Sequence, residues 1–187
     1  MARRICIIAL IVVAGCQTAH VDHPVTTTAG GTDADSQLEF WSELETQPIT
    51  SNDDAFHGLL LYLDGNDAAT DYAHRLAVLK ARGLLLQGFD RPANEAVSRG
   101  VLAVAIAKVL KIKGGVMMRL TRGNFDRYAL RELVYRKVYP PGSENQTFSG
   151  AEYVGIIGKI DDYQHGDPAN VPATVLPSEM QAMARQP

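Results

Sequence analysis

Three observations predict an all-α fold. Apolar residues recur at helical spacing in six stretches. No stretch alternates with a period of two for long enough to make a strand. Glycine or proline closes most of the helical stretches. The spacing predicts a bundle of about six helices over residues 37–165, one domain by length. Helix one runs from Gln37 to Gln47, with Leu38, Trp41 and Leu44 on one face and Phe40 beside them, and Pro48 ends it. Helix two starts after Thr50 and carries Ala55, Phe56, Leu59, Leu60 and Leu63 inward. Its N-cap is open between Thr50, with Asp53 completing a capping box, and Asn52. Gly65 stops it. Helix three, Ala69 to Arg82, buries Tyr72, Leu76 and Leu79, and Gly83 supplies the left-handed C′ position. A loop holding Pro92 leads to helix four, Arg99 to Lys111. Gly114-Gly115 turns the chain into a short apolar segment, Val116 to Leu120. Helix five, Phe125 to Val138, turns Ala129, Leu130, Leu133 and Val134 inward and ends at Pro140-Pro141-Gly142. Helix six spans Gly150 to Asp162.

The ends read differently from the middle. Arg3 and Arg4 precede nine apolar residues, Ile5 to Val13. That run is too short for a bilayer core of about 30 Å, which takes roughly 20 helical residues. Val13-Ala14-Gly15-Cys16 follows and resembles the lipobox of bacterial lipoproteins. The resemblance implies a signal peptide over 1–15, acylation of Cys16, and a lipid-anchored envelope protein. Gln17 in place of aspartate favours the outer membrane in a diderm cell. Each buried acyl methylene contributes about 0.8 kcal/mol to anchoring. Cys6 lies in the removed segment and Cys16 carries lipid, so the mature chain holds no disulfide and depends on its core. Residues 16–36 have no large apolar side chain beyond valine and are expected to form a flexible linker. Residues 166–187, with four prolines, are expected to be an irregular tail with a short helix around Glu179 to Ala184.

The helix starts repeat. Val97-Ser98-Arg99-Gly100-Val101-Leu102 aligns with Phe148-Ser149-Gly150-Ala151-Glu152-Tyr153. In both, serine caps the helix, and apolar residues before the cap and at N4 form a hydrophobic staple. Upstream, Leu79-Lys80-Ala81-Arg82-Gly83-Leu84-Leu85 aligns with Leu133 through Tyr139. The unit is helix, loop, capped helix, present twice clearly and a third time, around helix two, in degraded form. This pattern resembles the S-layer homology domain. The matching features are the Arg82-Gly83 helix end, the Gly88-Phe89 step in the loop, and the Ser98-Arg99 cap. The resemblance implies a pseudo-three-fold bundle over residues 37–162 that binds cell-wall polymers. Arginine after the cap occurs only in the middle copy, and glutamate at N3 only in the third, as Glu152.

Charge is segregated. Cys16 to Asp71 holds eleven Asp/Glu and no Lys or Arg, whereas Tyr72 to Lys137 holds fourteen Lys/Arg and four Asp/Glu. Either the acidic helices neutralise the basic ones, or the basic segment presents a face to an anionic polymer. On the second reading Arg99, at N1 of a helix beside anion-attracting N–H groups, is the leading contact. Arg82, Arg91, Lys111 and Lys113 would extend the same face. Nucleic acid matches the charge but is rarely met by an exported lipoprotein. There is no H-E-x-x-H, G-x-S-x-G or phosphate loop. His57 and His74 read as partly buried or surface residues rather than a catalytic pair, and His20 and His23 lack a third metal ligand. No cofactor, metal or enzymatic activity is expected. The expected function is binding of an anionic cell-wall polymer, polysaccharide or peptidoglycan. The competing expectation is a module that docks an envelope protein through loop 84–97 or 139–148.

Overall fold

Serine and aspartate caps set where the helices begin. The computed structural model describes residues 18–114 and 124–166. Among them are seven helices: α1 (Thr26–Ala29), α2 (Ala34–Thr46), α3 (Asn52–Asp64), α4 (Tyr72–Ala81), α5 (Arg99–Val109), α6 (Asp126–Tyr135) and α7 (Gly150–His165). The described residues hold two isolated β-bridges and no strand, so the fold is all-α. The expectations for the signal peptide, Cys16, Val116 to Leu120 and 167–187 lie outside the described residues.

Asp33, Ser51, Asp71, Ser98 and Ser149 each accept a bond from the N–H three residues on, filling one of the amides a helix start leaves open. At Ser149 the capping box is complete, with Glu152 reaching back to the Ser149 amide. The cap of α3 is Ser51, which neither expected register contains. The hydroxyl of Ser51 also donates to the Asp54 carboxylate, a hydroxyl–carboxylate pair in place of the capping box expected of Thr50/Asp53. α2 begins at Ala34, because Asp33 caps it. Its inward residues are Phe40 and Leu44, spaced i, i+4, while Leu38 is 71% exposed rather than buried. α4 starts at Tyr72, not Ala69, since Asp71 is its cap.

The second and third units share the same helix ending. Leu84 N–H bonds the Leu79 carbonyl and Val138 N–H bonds the Leu133 carbonyl, six residues closing on one. The residue inside each loop is left-handed: Gly83 (φ 69°) in one copy and Lys137 (φ 61°) in the other. Helix pairing is cyclic. α3 packs on α4, α5 on α6, and α7 returns to α2, so each pair joins two neighbouring units. The helix starts follow the same order. Asn52 N–H donates to Glu95 O (2.8 Å), Arg99 N–H to Gln146 O (2.7 Å) and Gly150 N–H to Gln47 O (2.9 Å). Between them, Val97 N–H bonds Thr50 O and Thr50 N–H bonds Phe148 O. A Cβ at Gly150 would fall inside the Leu44 carbonyl. The end of α2 is pressed against this point, which explains glycine where the middle copy has arginine. Both staple pairs, Val97 with Leu102 and Phe148 with Tyr153, lie in the common core. Tyr153 donates to the Ala55 carbonyl (2.6 Å), pinning α7 to α3.

Residues 18–36 are not a free linker. Ala96 N–H bonds Ala19 O and Val21 N–H bonds Asn94 O, both at 2.8 Å. Val25 and Ala29 are buried in the core. The composition lacks the apolar area to fold alone, yet its few apolar residues fill seats that the domain provides.

Two substitutions check these points. The Thr50 hydroxyl is buried without a partner. Thr50→Val, giving this copy the valine its neighbour has, should raise unfolding stability by about 1 kcal/mol in urea melts. Lys137→Gly should stabilise by about 1 kcal/mol, because a left-handed residue with a Cβ costs roughly 1–2 kcal/mol.

Candidate functional site: a polar cleft over a buried ion network

Arg99 does not stand free. Its Nη2 donates to Glu152 Oε1 at 2.7 Å, and its guanidinium lies 5.3 Å over the Phe148 ring. The residue is 7% exposed, and Nε and Nη1 are buried with no protein partner. The amides that would attract an anion are taken. Those of Arg99 and Gly100 bond Gln146 and Glu144 carbonyls, and that of Val101 bonds Ser98. Burial pushes the Glu152 carboxyl up, but the bonds from Arg99 and the Ser149 amide outweigh it and hold it below the usual range. Tyr139 donates to the Arg99 carbonyl (3.0 Å), and burial raises its hydroxyl well above its ordinary value. The arginine therefore braces the start of α5 to α7.

The other predicted contacts do not join it. Arg82 makes a two-pronged pair with Asp64 (2.9 and 2.7 Å), and Arg91 pairs with Glu95 (2.9 Å). Lys111 and Lys113 are exposed beyond the far end of α5, a helix of eleven residues. At 1.5 Å per residue they sit roughly 18 Å along the axis from Arg99. Of the two readings of the charge segregation, neutralisation accounts for this part: Asp53 and Asp64 of acidic α3 pair with Arg75 of basic α4 and with Arg82 at its C-terminal cap.

The open space lies elsewhere. A cleft of about 690 Å³ runs between α1, the start of α3 and loop 66–71, with Thr26, Thr32, Asp53, Asp71, Tyr72 and Arg75 among its walls. A second opening of about 450 Å³ shares Asn66 to Thr70 with it and reaches His74 and Arg82. Beneath the cleft runs one connected network. Arg75 Nη1 donates to Asp53 Oδ1 (2.6 Å), and its Nε donates to Asp67. Asp67 also bonds His57 Nδ1 (2.6 Å) and the Ala69 amide (2.9 Å). Thr26 Oγ1 donates to Asp53 (2.7 Å), and the Thr26 amide donates to Asp54 (2.9 Å). Burial raises Asp67, yet the bonds from His57 and Arg75 bring its carboxyl below the usual value. Burial dominates at Asp54, helped by the neighbouring Asp53 charge, and raises it despite the Ser51 and Thr26 bonds. Burial, with Asp53 and Glu95 nearby, also raises the Tyr72 hydroxyl, which donates to the Arg91 carbonyl (2.8 Å).

His57 is fully buried, edge-on to Phe40 at 4.6 Å, and His74 is exposed and bonded to Asp71. The two do not form a pair. Among the described residues no group of three His, Cys, Asp or Glu is placed to hold a metal ion. The cleft presents hydroxyls, amides and carboxylates on a braced wall, which suits hydrogen bonding to a polyhydroxylated ligand. Thr26, Asp67 and Arg75 were missed in the sequence. One signal existed: Arg75 falls on the same helix face as Tyr72 and Leu79, and an arginine in a buried stripe requires carboxylate partners. No known family, curated protein or solved structure matches the chain.

The network predicts opposite pH responses. Asp67 is depressed, so its contribution is present above its unfolded pKa of about 3.9 and is lost as pH falls through the folded value. Arg75→Ala strands two carboxylates and should lower stability by roughly 3–5 kcal/mol at pH 7, with a smaller loss near pH 3. Asp54 is raised, so its ionisation favours unfolding above about pH 3.9. Asp54→Asn should therefore gain stability over the parent at pH 7 and lose that advantage near pH 3. Urea titrations at both pH values read each effect.

Proposed function

We propose that the chain is a lipid-anchored envelope protein, held by an acylated Cys16, whose helical-repeat domain binds a cell-wall polymer without catalysing a reaction. The observation that carries the reading is the braced polar cleft. Its Asp53 and Asp71 carboxylates accept bonds from sugar hydroxyls, its threonines and Asn66 exchange bonds with them, and Tyr72 offers an aromatic edge. Carboxylates outnumber guanidiniums here. The polymer's hydroxyl-bearing backbone occupies the cleft, and an anionic substituent meets the exposed side of the Arg82 guanidinium, beside its Asp64 pair, at the adjoining opening. Arg82 is the one member of the expected basic set that lines this space. Arg99 supports the domain and does not touch the ligand in this reading, and Arg91, Lys111 and Lys113 lie off it.

A second reading has its own observation. Loop 84–97 borders an apolar groove of about 220 Å³ with Leu85, Phe89, Val101 and Val104 in it, and Leu86 and Phe125 at its edge are 43% and 57% exposed. That groove favours docking of an envelope protein.

Co-sedimentation of the acyl-free domain with purified cell-wall material separates the two. Polymer binding predicts retention that falls about tenfold with Asn66→Ala or Arg82→Ala and is unchanged by Leu86→Asp. Absence of retention, or retention indifferent to Asn66→Ala and Arg82→Ala, overturns the polymer reading. Capture of a protein partner abolished by Leu86→Asp supports the other.

A further inference from the structure

The docked N-terminal segment determines which part of the domain can meet the membrane. This rests on the reading of Cys16 as the acylated residue. Ala19 O accepts from Ala96 N–H, and Val21 N–H donates to Asn94 O, each at 2.8 Å, with an antiparallel bridge between His20 and Glu95. Further on, Thr26 is tied to Asp53 and Asp54, and Val25 and Ala29 are each 3% exposed in the core. Two buried side chains and four hydrogen bonds thus hold residues 19–29 to α3 and to the chain at 93–96. Cys16 lies three residues before Ala19. A fully extended residue spans at most about 3.6 Å, so the Cys16 Cα is confined to within roughly 11 Å of Ala19. A free linker of about twenty residues would instead allow an r.m.s. reach of roughly 25 Å in any direction.

We propose that this segment is a strap that seats the edge formed by residues 90–96 against the lipid bilayer. Acyl chains in the bilayer place Cys16 at its surface, and the strap leaves no slack for the domain to turn that edge away. The edge fits a headgroup layer: Asp90, Arg91, Pro92 and Asn94 are exposed there, and the Arg91 side chain is 45% accessible although paired with Glu95. The ring of helix starts lies on the same side. Asn52 and Asp53 at the start of α3 bond carbonyls 95 and 93. The far ends of the helices then point away from the lipid.

The test uses the full acylated chain in phosphatidylethanolamine/phosphatidylglycerol vesicles carrying a headgroup quencher. The mature chain has no other thiol, so Asn94→Cys and Asp161→Cys each give one labelling site. Asp161 is exposed on α7, about 18 Å along the helix from Ser149. Fluorophores at Asn94 should be quenched at least threefold more than at Asp161. Inserting a ten-residue Gly/Ser spacer between Gln17 and Thr18 should bring the two to parity. Equal quenching in protein whose mass shows the acyl addition overturns the strap proposal, and so does a contrast that survives the spacer. Absence of the acyl mass instead overturns the lipoprotein reading itself.

Discussion

The start of an α-helix leaves four amides without intrahelical partners, and in this fold neighbouring units supply part of the answer. The N1 amides of α3, α5 and α7 each bond a carbonyl of the next unit, and the last of these bonds returns to the first unit. Helix packing follows the same cycle, α3 on α4, α5 on α6, α7 on α2. No unit completes its own helix start or buries its own face, so the three stand or fall together. The residues at the three starts differ because their surroundings differ. Gly150 admits the end of α2, Arg99 reaches Glu152 across 53 positions of sequence, and Asn52 donates to the Pro92 carbonyl (2.9 Å).

That arrangement also governs the charge. The chain carries its acids and bases in separate segments, and the two meet where α3 packs on α4. Arg75 is buried between Asp53 and Asp67, with His57 behind. Buried ion pairs are poor sources of stability, since desolvation offsets most of the attraction. What this one does is hold loop 66–71 and Thr26 in fixed relation, which gives the cleft a wall that stays in place. The cleft lies where the degraded first copy, the second unit and the N-terminal segment come together.

The N-terminal segment shows why composition alone misleads. Threonine, alanine, glycine and aspartate cannot build a core, and in isolation such a segment stays unfolded. Docked against a finished domain it needs little: two small apolar side chains in prepared seats and main-chain groups paired with 94–96. Its order is borrowed from the rest of the chain.

Local signals were legible. The helical class, the serine caps at Ser98 and Ser149, Gly65 as the stop of α3 and the left-handed Gly83 all follow from residues within about one turn of each other. Helical periodicity and capping are short-range effects, so the amino-acid sequence determined them by itself. The tertiary structure decided what depends on distant partners. Ser51 rather than Thr50 or Asn52 caps α3 because Thr50 is held by Val97 and Phe148. Leu38 is left in water because the partner helix meets Phe40 and Leu44. Arg99 became a brace because Glu152 and Phe148 fold over it. Residue type says that a buried charge needs a partner, and only the packed chain says which one it finds.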